Sequence, residues 1–286
     1  MLIADKWVDY KLLDAGEGEK VENWNGTILR RPDPQAIWPW TKPNVKDKVD
    51  AQYHRSREGG GRWEFKKKIP ESWTLKYKNL TFKIEPTGFK HTGLFPEQAV
   101  NWDWMTEKIR QANRPIAVLN LFAYTGGATC ACLAAGASVC HVDASKGMVA
   151  WAKENVALSG LSDRPVRYIV DDCMKFVRRE IRRGRKYDAV IMDPPSYGRG
   201  PNGELWKLED ELFGLVDTLK DVMSDNPLFF LLNSYTTGFS PQVSANMLEM
   251  TIAAKYGGRV TCGEVGIPVA GTKIILPCGS YSRWEE

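Results

Sequence analysis

Four short polar clusters hold the residue types that could do chemistry, and each follows an apolar run: Phe122–Gly127 (Phe-Ala-Tyr-Thr-Gly-Gly), Asp143–Ser145 (Asp-Ala-Ser), Asp171–Cys173 (Asp-Asp-Cys) and Asp193–Tyr197 (Asp-Pro-Pro-Ser-Tyr). The runs before them, 116–121, 138–142, 166–170 and 188–192, read as buried strands. A fifth run, 228–232, ends in Asn233-Ser-Tyr-Thr-Thr237. In open α/β sheets, ligands gather beyond the carboxyl ends of such strands. Backbone N–H groups of a glycine turn suit a carboxylate there. Asp143 suits a cis-diol, and one carboxylate of Asp171 and Asp172 suits an adenine amino group. A lone strand-end Asp is often only a helix cap. Four matched strand ends in order go beyond capping.

The stretch 118–145 reads as strand, glycine turn, helix and second strand, the way an α/β sheet builds a nucleoside pocket. Gly126 and Gly127 are adjacent, with Phe122, Ala123, Tyr124 and Thr125 before them, so this is not G-x-G-x-x-G. The difference points to S-adenosylmethionine rather than a nicotinamide. The cofactor contacts are then expected from 122–127, Asp143, Ala144, Ser145, Asp171, Asp172, Cys173 and Asp193. Asp193 and a proline carbonyl, from Pro194 or Pro195, can hold a planar base in register. Tyr197 can stack on that base, or simply pack as a loop residue. The glycine-rich 198–203 reads as a lid or a loose loop, with Arg199 as a phosphate contact.

These motifs, together with Asn120–Thr129 (Asn-Leu-Phe-Ala-Tyr-Thr-Gly-Gly-Ala-Thr), resemble the large-subunit ribosomal RNA methyltransferases of the cytosine-C5 and guanine-N7 types. Upstream, His91–Gln98 is similar to that group's K-T-G-x-F-x-D-Q-R segment. Thr92, Gly93, Phe95 and Gln98 match, while His91, Glu97 and Ala99 depart from it. The resemblance covers roughly 82–280 and implies that Phe95 and Gln98 also touch the cofactor. It does not extend to the PUA domain that many cytosine-C5 members carry.

C5 methylation of a pyrimidine needs a nucleophile, normally a cysteine thiolate. In the cytosine type that cysteine follows the fifth strand; here 233–238 has none. Cys173 and Cys278 read as structural, the latter as following the last strand. A nitrogen target needs only its lone pair in near-attack geometry, so nitrogen is favoured over C5. A protein or small-molecule acceptor, or a non-catalytic cofactor-binding RNA-assembly factor, stays open.

The elements that must position these groups form a doubly wound, seven-stranded, mostly parallel sheet, Rossmann-like, closed by an antiparallel pair at 259–267 and 272–276. It is expected to occupy 86–286, after a small mainly β domain over 1–85 with a turn at Asn25-Gly26 and a hairpin over 73–84. The tryptophans of that domain read more as scaffold than as binding platforms. The 286 residues allow this arrangement, and 43% hydrophobic and 26% charged residues are ordinary for a globular protein. The net charge of +4 is uneven: 51–90 holds ten Lys/Arg against four Asp/Glu. Lys66, Lys67 and Lys68 lie there among Trp63, Trp73 and Tyr77, and a second basic cluster spans 175–186. Such clusters suit a polyanion with stackable bases, here RNA. Six cysteines without a C-x-x-C pair suggest reduced core thiols and no metal. No apolar run is long enough for a membrane span, and no signal peptide is visible, so a cytoplasmic enzyme is expected.

Overall fold

The computed structural model describes residues 1–56, 60–200 and 202–286. Arg57, Gly59 and Pro201, members of the basic and glycine-rich stretches above, lie outside the described residues. The chain divides into two compact units. One comprises Met1, 101–264 and 279–286; the other comprises 2–100 with 265–278. The β-rich unit thus takes in 86–100 and a C-terminal segment beside the residues up to 85.

In the β-rich unit, β1 (Leu2–Ile3) precedes a five-stranded sheet of β2 (Tyr10–Gly16), β3 (Glu19–Trp24), β4 (Thr27–Pro32), β5 (Ala51–Arg55) and β6 (Gly61–Phe65). β7 (Trp73–Tyr77) and β8 (Leu80–Ile84) form the expected hairpin, with Leu75, Tyr77, Leu80, Phe82 and Ile84 buried. At the β3–β4 turn Asn25 (φ 52°) and Gly26 (φ 95°) are both left-handed, which matches the right-handed twist of the flanking strands. Two of the unit's tryptophan N–H groups are spent internally: Trp63 donates to the Thr87 carbonyl at 2.8 Å and Trp73 to that of Trp24 at 2.9 Å. That fits scaffold rather than platform.

The other unit alternates helix and strand: α1 (Ala99–Gln111, whose first two residues belong to the β-rich unit), β9 (Ala117–Leu121), α2 (Gly127–Ala134), β10 (Ser138–Asp143), α3 (Lys146–Leu158), β11 (Val166–Val170), α4 (Cys173–Arg182) and β12 (Ala189–Met192). A short hairpin of β13 (Tyr197–Arg199) and β14 (Leu205–Lys207) follows. Then come α5 (Leu208–Leu219), β15 (Phe229–Ser234), α6 (Pro241–Leu248), β16 (Arg259–Pro268) and β17 (Ile275–Glu285). The sheet order is β1-β16-β17-β15-β12-β9-β10-β11. Five consecutive strands, from β15 to the edge strand β11, are parallel, and β17 runs antiparallel to β15. The seven expected strands are all present, with β1 as an eighth beside β16.

β12 and β15 are buried along their whole length, as strands covered on both faces must be. On one face Leu119, Val142, Val190, Phe230 and Leu232 meet Phe176 and Val177 of α4 and Leu212 and Leu215 of α5. Each such side chain contributes roughly 1.5–3 kcal/mol on burial. The chain reverses direction in sheet order between β9 and β12, so the crevice of this fold opens where those two strands end.

Two sequence readings change. The closing strand begins at Ile275, not Thr272. Gly271 is left-handed (φ 71°) and the Thr272 hydroxyl donates to the Val269 carbonyl at 3.0 Å, holding a turn there. Cys278 therefore lies inside β17 rather than after it. The segment after Asp193-Pro-Pro forms a short hairpin arm. Tyr197 pairs with Lys207 and Arg199 with Leu205, and the Gly200 N–H reaches the Glu204 carbonyl at 2.8 Å.

Among the described residues, no helix is long and apolar enough to cross a membrane.

Candidate active site

β9 ends in an unusual turn. Phe122 (φ 53°) and Tyr124 (φ 50°) are both left-handed without being glycine, and Gly126 (φ 82°) follows. Such backbone costs about 1–3 kcal/mol per residue and persists where the surroundings over-determine it. Here they do. The Tyr124 N–H donates to Asp143 Oδ2 at 2.8 Å, and the Ala123 N–H donates to the Val142 carbonyl at 3.1 Å. Asn155 of α3 donates to the Thr125 carbonyl at 2.8 Å.

Asp143 is the hub of the strand ends. Its second oxygen accepts the Ser145 N–H at 2.8 Å, and its carbonyl accepts the Asp171 N–H at 3.1 Å. Burial lifts its carboxyl above the usual carboxylate range, and the two N–H donors pull part of that shift back. Each oxygen keeps a second lone pair, so the carboxylate can still accept two hydroxyls of a cis-diol. The donor set therefore fits a nucleoside.

The two glycines have separate reasons. Gly126 supplies the left-handed turn before α2. A side chain on Gly127 would meet the Trp102 ring of α1 at 2.7 Å, so close packing under the turn, more than cofactor approach, requires glycine there. Beneath lies a buried chain. Asn120 Nδ2 donates to Thr129 Oγ1 at 3.0 Å, and Thr129 Oγ1 sits 2.9 Å from His141 Nδ1. Burial lowers the His141 pKa to about 4, so the ring is neutral near pH 7.

The Asp-Asp-Cys residues have distinct roles. Asp171 forms an ion pair with Arg179. Asp172 caps α4 by accepting the Lys175 N–H at 2.9 Å, and of the two it is the acid whose side chain is not tied to a cation. Cys173 is buried, and burial pushes its thiol well above the ordinary range. Cys278 is raised in the same direction for the same reason. Among the described residues no cluster could hold a metal.

The opposite wall follows β12. Asp193 is half-buried, Pro194 buried, and Pro195 and Tyr197 exposed. The Pro195 carbonyl accepts the Trp206 indole N–H at 2.6 Å. Trp206 also packs on Phe122, with ring centroids 4.9 Å apart. Ser196 Oγ lies 2.7 Å from Thr236 Oγ1, linking this wall to the end of β15. Tyr197 and Arg199, two apart on β13, share its outer face, with Tyr197 56% exposed.

One unit thus gathers 122–127, 143–145, 171–173 and 193–199. Phe95, Gln98 and Lys66–Lys68 belong to the other. There Gln98 is buried, its N–H bonded to the Phe95 carbonyl at 3.0 Å, and the three lysines are exposed. Lys67 pairs with Asp50 at 2.7 Å. Sequence reading missed Trp206, His141, Asn155 and Trp102. A histidine inside an apolar strand and a lone Trp after a glycine-rich stretch were the available signals, and both also read as core.

A doubly wound sheet with a strand-end Asp holding a left-handed turn on the neighbouring strand defines the nucleoside-cofactor class of α/β enzymes. Residues 35–207 match the S-adenosylmethionine-dependent methyltransferase family, and the chain belongs to it; its cofactor is S-adenosylmethionine. It is similar to a SAM-dependent methyltransferase of Agrobacterium tumefaciens, at 39% identity and TM-score 0.94, over 99% of this chain and 92% of that one. A putative SAM-dependent methyltransferase of Streptococcus mutans shares the fold at 17% identity and TM-score 0.69, over 97% and 76% of the two chains. Among curated proteins, ribosomal RNA large subunit methyltransferase K/L of Shewanella baltica is 36% identical over 211 residues, 70% of this chain and 27% of that protein. The chain spans about a third or less of the length of such curated relatives, 31% and 27% for two of them.

Proposed function

We propose that the chain methylates a base of ribosomal RNA in the cytoplasm, at a nitrogen rather than at C5. The observation that carries this reading is the wall after β12. Asp193 and Pro194 stand beside the cofactor turn, while Tyr197, Arg199 and Lys207 face outward from a hairpin anchored by Trp206. An exposed aromatic flanked by cations suits a nucleotide, the ring stacking on the base and the cations meeting phosphate. The name of the Shewanella baltica relative supports the acceptor class.

S-adenosylmethionine supplies the electrophilic methyl group. The turn at 122–127 would receive its carboxylate, Asp143 the ribose hydroxyls and Asp172 the adenine amino group, with Phe95 and Gln98 as further contacts. Asp193 and Pro194 would orient the base by accepting from its N–H groups. The nitrogen preference is supported by the thiols: 233–238 holds none, and Cys173 and Cys278 are held protonated by burial. A methylated nitrogen needs no covalent adduct, only alignment.

The domain over 1–85 is read as a docking element, with Lys66 and Lys68 as its phosphate contacts and Lys67 weakened by Asp50. Comparing ribosomal RNA nucleosides from wild-type and deletion cells by mass spectrometry tests the reading. One methylated base should vanish on deletion and stay absent when Asp193→Ala is supplied. An unchanged profile would favour a protein or small-molecule acceptor. Restoration by Asp193→Ala would favour a non-catalytic assembly factor.

A further inference from the structure

α4 carries a set of cations that the site above does not use. Four carboxylates make polar contacts with this helix or its flanks: Asp171, Asp172, Glu180 and Glu204. Asp172 caps it, Asp171 pairs with Arg179, buried Glu180 holds Arg167 and Arg183 at 3.0 Å each, and Glu204 of the hairpin loop pairs with Lys175. Lys186 donates to the Asp221 carbonyl at 2.9 Å. Arg178, Arg182 and Arg185 are exposed and have no carboxylate partner among the described residues. Arg178 and Arg182 sit four residues apart on one side of α4, about 6 Å along its axis at 1.5 Å per residue. Arg185 continues just past the helix end.

We propose that Arg178, Arg182 and Arg185 form a track for the phosphate backbone of the RNA acceptor; this rests on the RNA reading above. A side that only keeps a protein soluble mixes both charge signs. The outer side of α4 bears cations alone, all three unpaired ones being arginines, whose planar fork meets phosphate bidentately. The apolar side of α4, Phe176 and Val177, is buried in the core, so the helix has no apolar face to lay into a lipid surface. The track also starts at the right place. Lys175, one turn into the helix, is tied to Glu204 of the arm that presents Tyr197 and Arg199, so an acceptor whose base reaches Tyr197 meets this side next.

The test uses the full chain with Arg178→Ala, Arg182→Ala and Arg185→Ala combined. Its readouts are fluorescence anisotropy on a labelled single-stranded RNA of about 20 nucleotides across a salt series, and calorimetry with S-adenosylmethionine. Three lost phosphate contacts should make the log–log salt slope shallower by about 2 and weaken RNA binding tenfold or more. Cofactor affinity should stay unchanged, which separates docking from misfolding. Lysine at the three positions should restore most of the slope but less of the affinity. An unaltered slope and affinity would overturn the track while leaving the RNA reading intact. Loss of binding to phosphatidylserine vesicles with RNA binding unaltered would overturn it in favour of a lipid. Wild-type protein that binds no RNA would remove the acceptor reading, and the track with it.

Discussion

The Asp143 carboxylate accepts the Tyr124 backbone N–H at 2.8 Å while Tyr124 is held in a left-handed conformation. One side chain therefore fixes the shape of the first turn, and the proposed site gives its remaining lone pairs to the ribose. Asp143→Ala removes both functions. Hydrogen bonds to charged groups contribute about 1.5–3 kcal/mol each. Calorimetry should show S-adenosylmethionine binding weakened by roughly a hundredfold or more. Binding within threefold of wild type would mean that Asp143 is only a turn anchor.

Trp206 holds the wall after β12 through the Pro195 carbonyl and Phe122. Trp206→Phe keeps an aromatic ring but deletes the N–H, at about 1 kcal/mol of stability. Turnover should fall severalfold to tenfold with cofactor affinity nearly constant, because the wall shifts and the turn does not. Equal losses in both would place Trp206 under the whole site rather than under its acceptor side.

His141 sets a pH dependence whose sign follows from burial. Its pKa falls from 6.5 to about 4 on folding, so between those values the unfolded chain binds a proton that the folded chain excludes. Stability is complete above pH 6.5 and declines as pH falls towards 4, by about 3 kcal/mol for this ring. His91, also lowered to about 4 by burial and by Arg31, adds in the same direction. Urea titrations from pH 7 to 4 should show the decline. His141→Gln should remove the share of this ring and leave that of His91.

In the β-rich unit, Glu22 binds Arg31 through two contacts of 2.7 Å and accepts the Tyr10 hydroxyl at 2.8 Å. Burial opposes the charge, but Arg31 and Lys20 override it and hold the carboxyl at about 2. Its contribution is complete above the ordinary carboxylate range and is lost as pH falls towards 2. Glu22→Ala strands the buried Arg31 and should cost about 3–5 kcal/mol by chemical denaturation. Glu22→Ala with Arg31→Met should recover much of that loss.

The strand ends were legible in the sequence because apolar runs followed by Asp or glycine obey local rules. The β9, β10, β11, β12 and β15 runs, the Ser145 cap and the Asn25-Gly26 turn all show as patterns within a few residues, although the strands themselves pair over tens of residues. The hairpin at 197–207 was not legible. Its glycines suggest a loose segment, whereas the Trp206 bond to the Pro195 carbonyl, eleven residues away, holds it.

By itself the sequence determined the order of strands and helices, the polar residues at the strand ends and the nucleoside character of the pocket, since periodicity and turn chemistry act locally. Only the tertiary structure decided what those residues share. It made Asp143 the partner of Tyr124, spent Asp171 on Arg179, explained Gly127 by the ring of Trp102 and left Arg178, Arg182 and Arg185 without a carboxylate partner among the described residues. Each of those outcomes depends on which side chains distant parts of the chain bring within a few ångströms. Charge, burial and hydrogen-bond capacity are then divided among neighbours that no local pattern names.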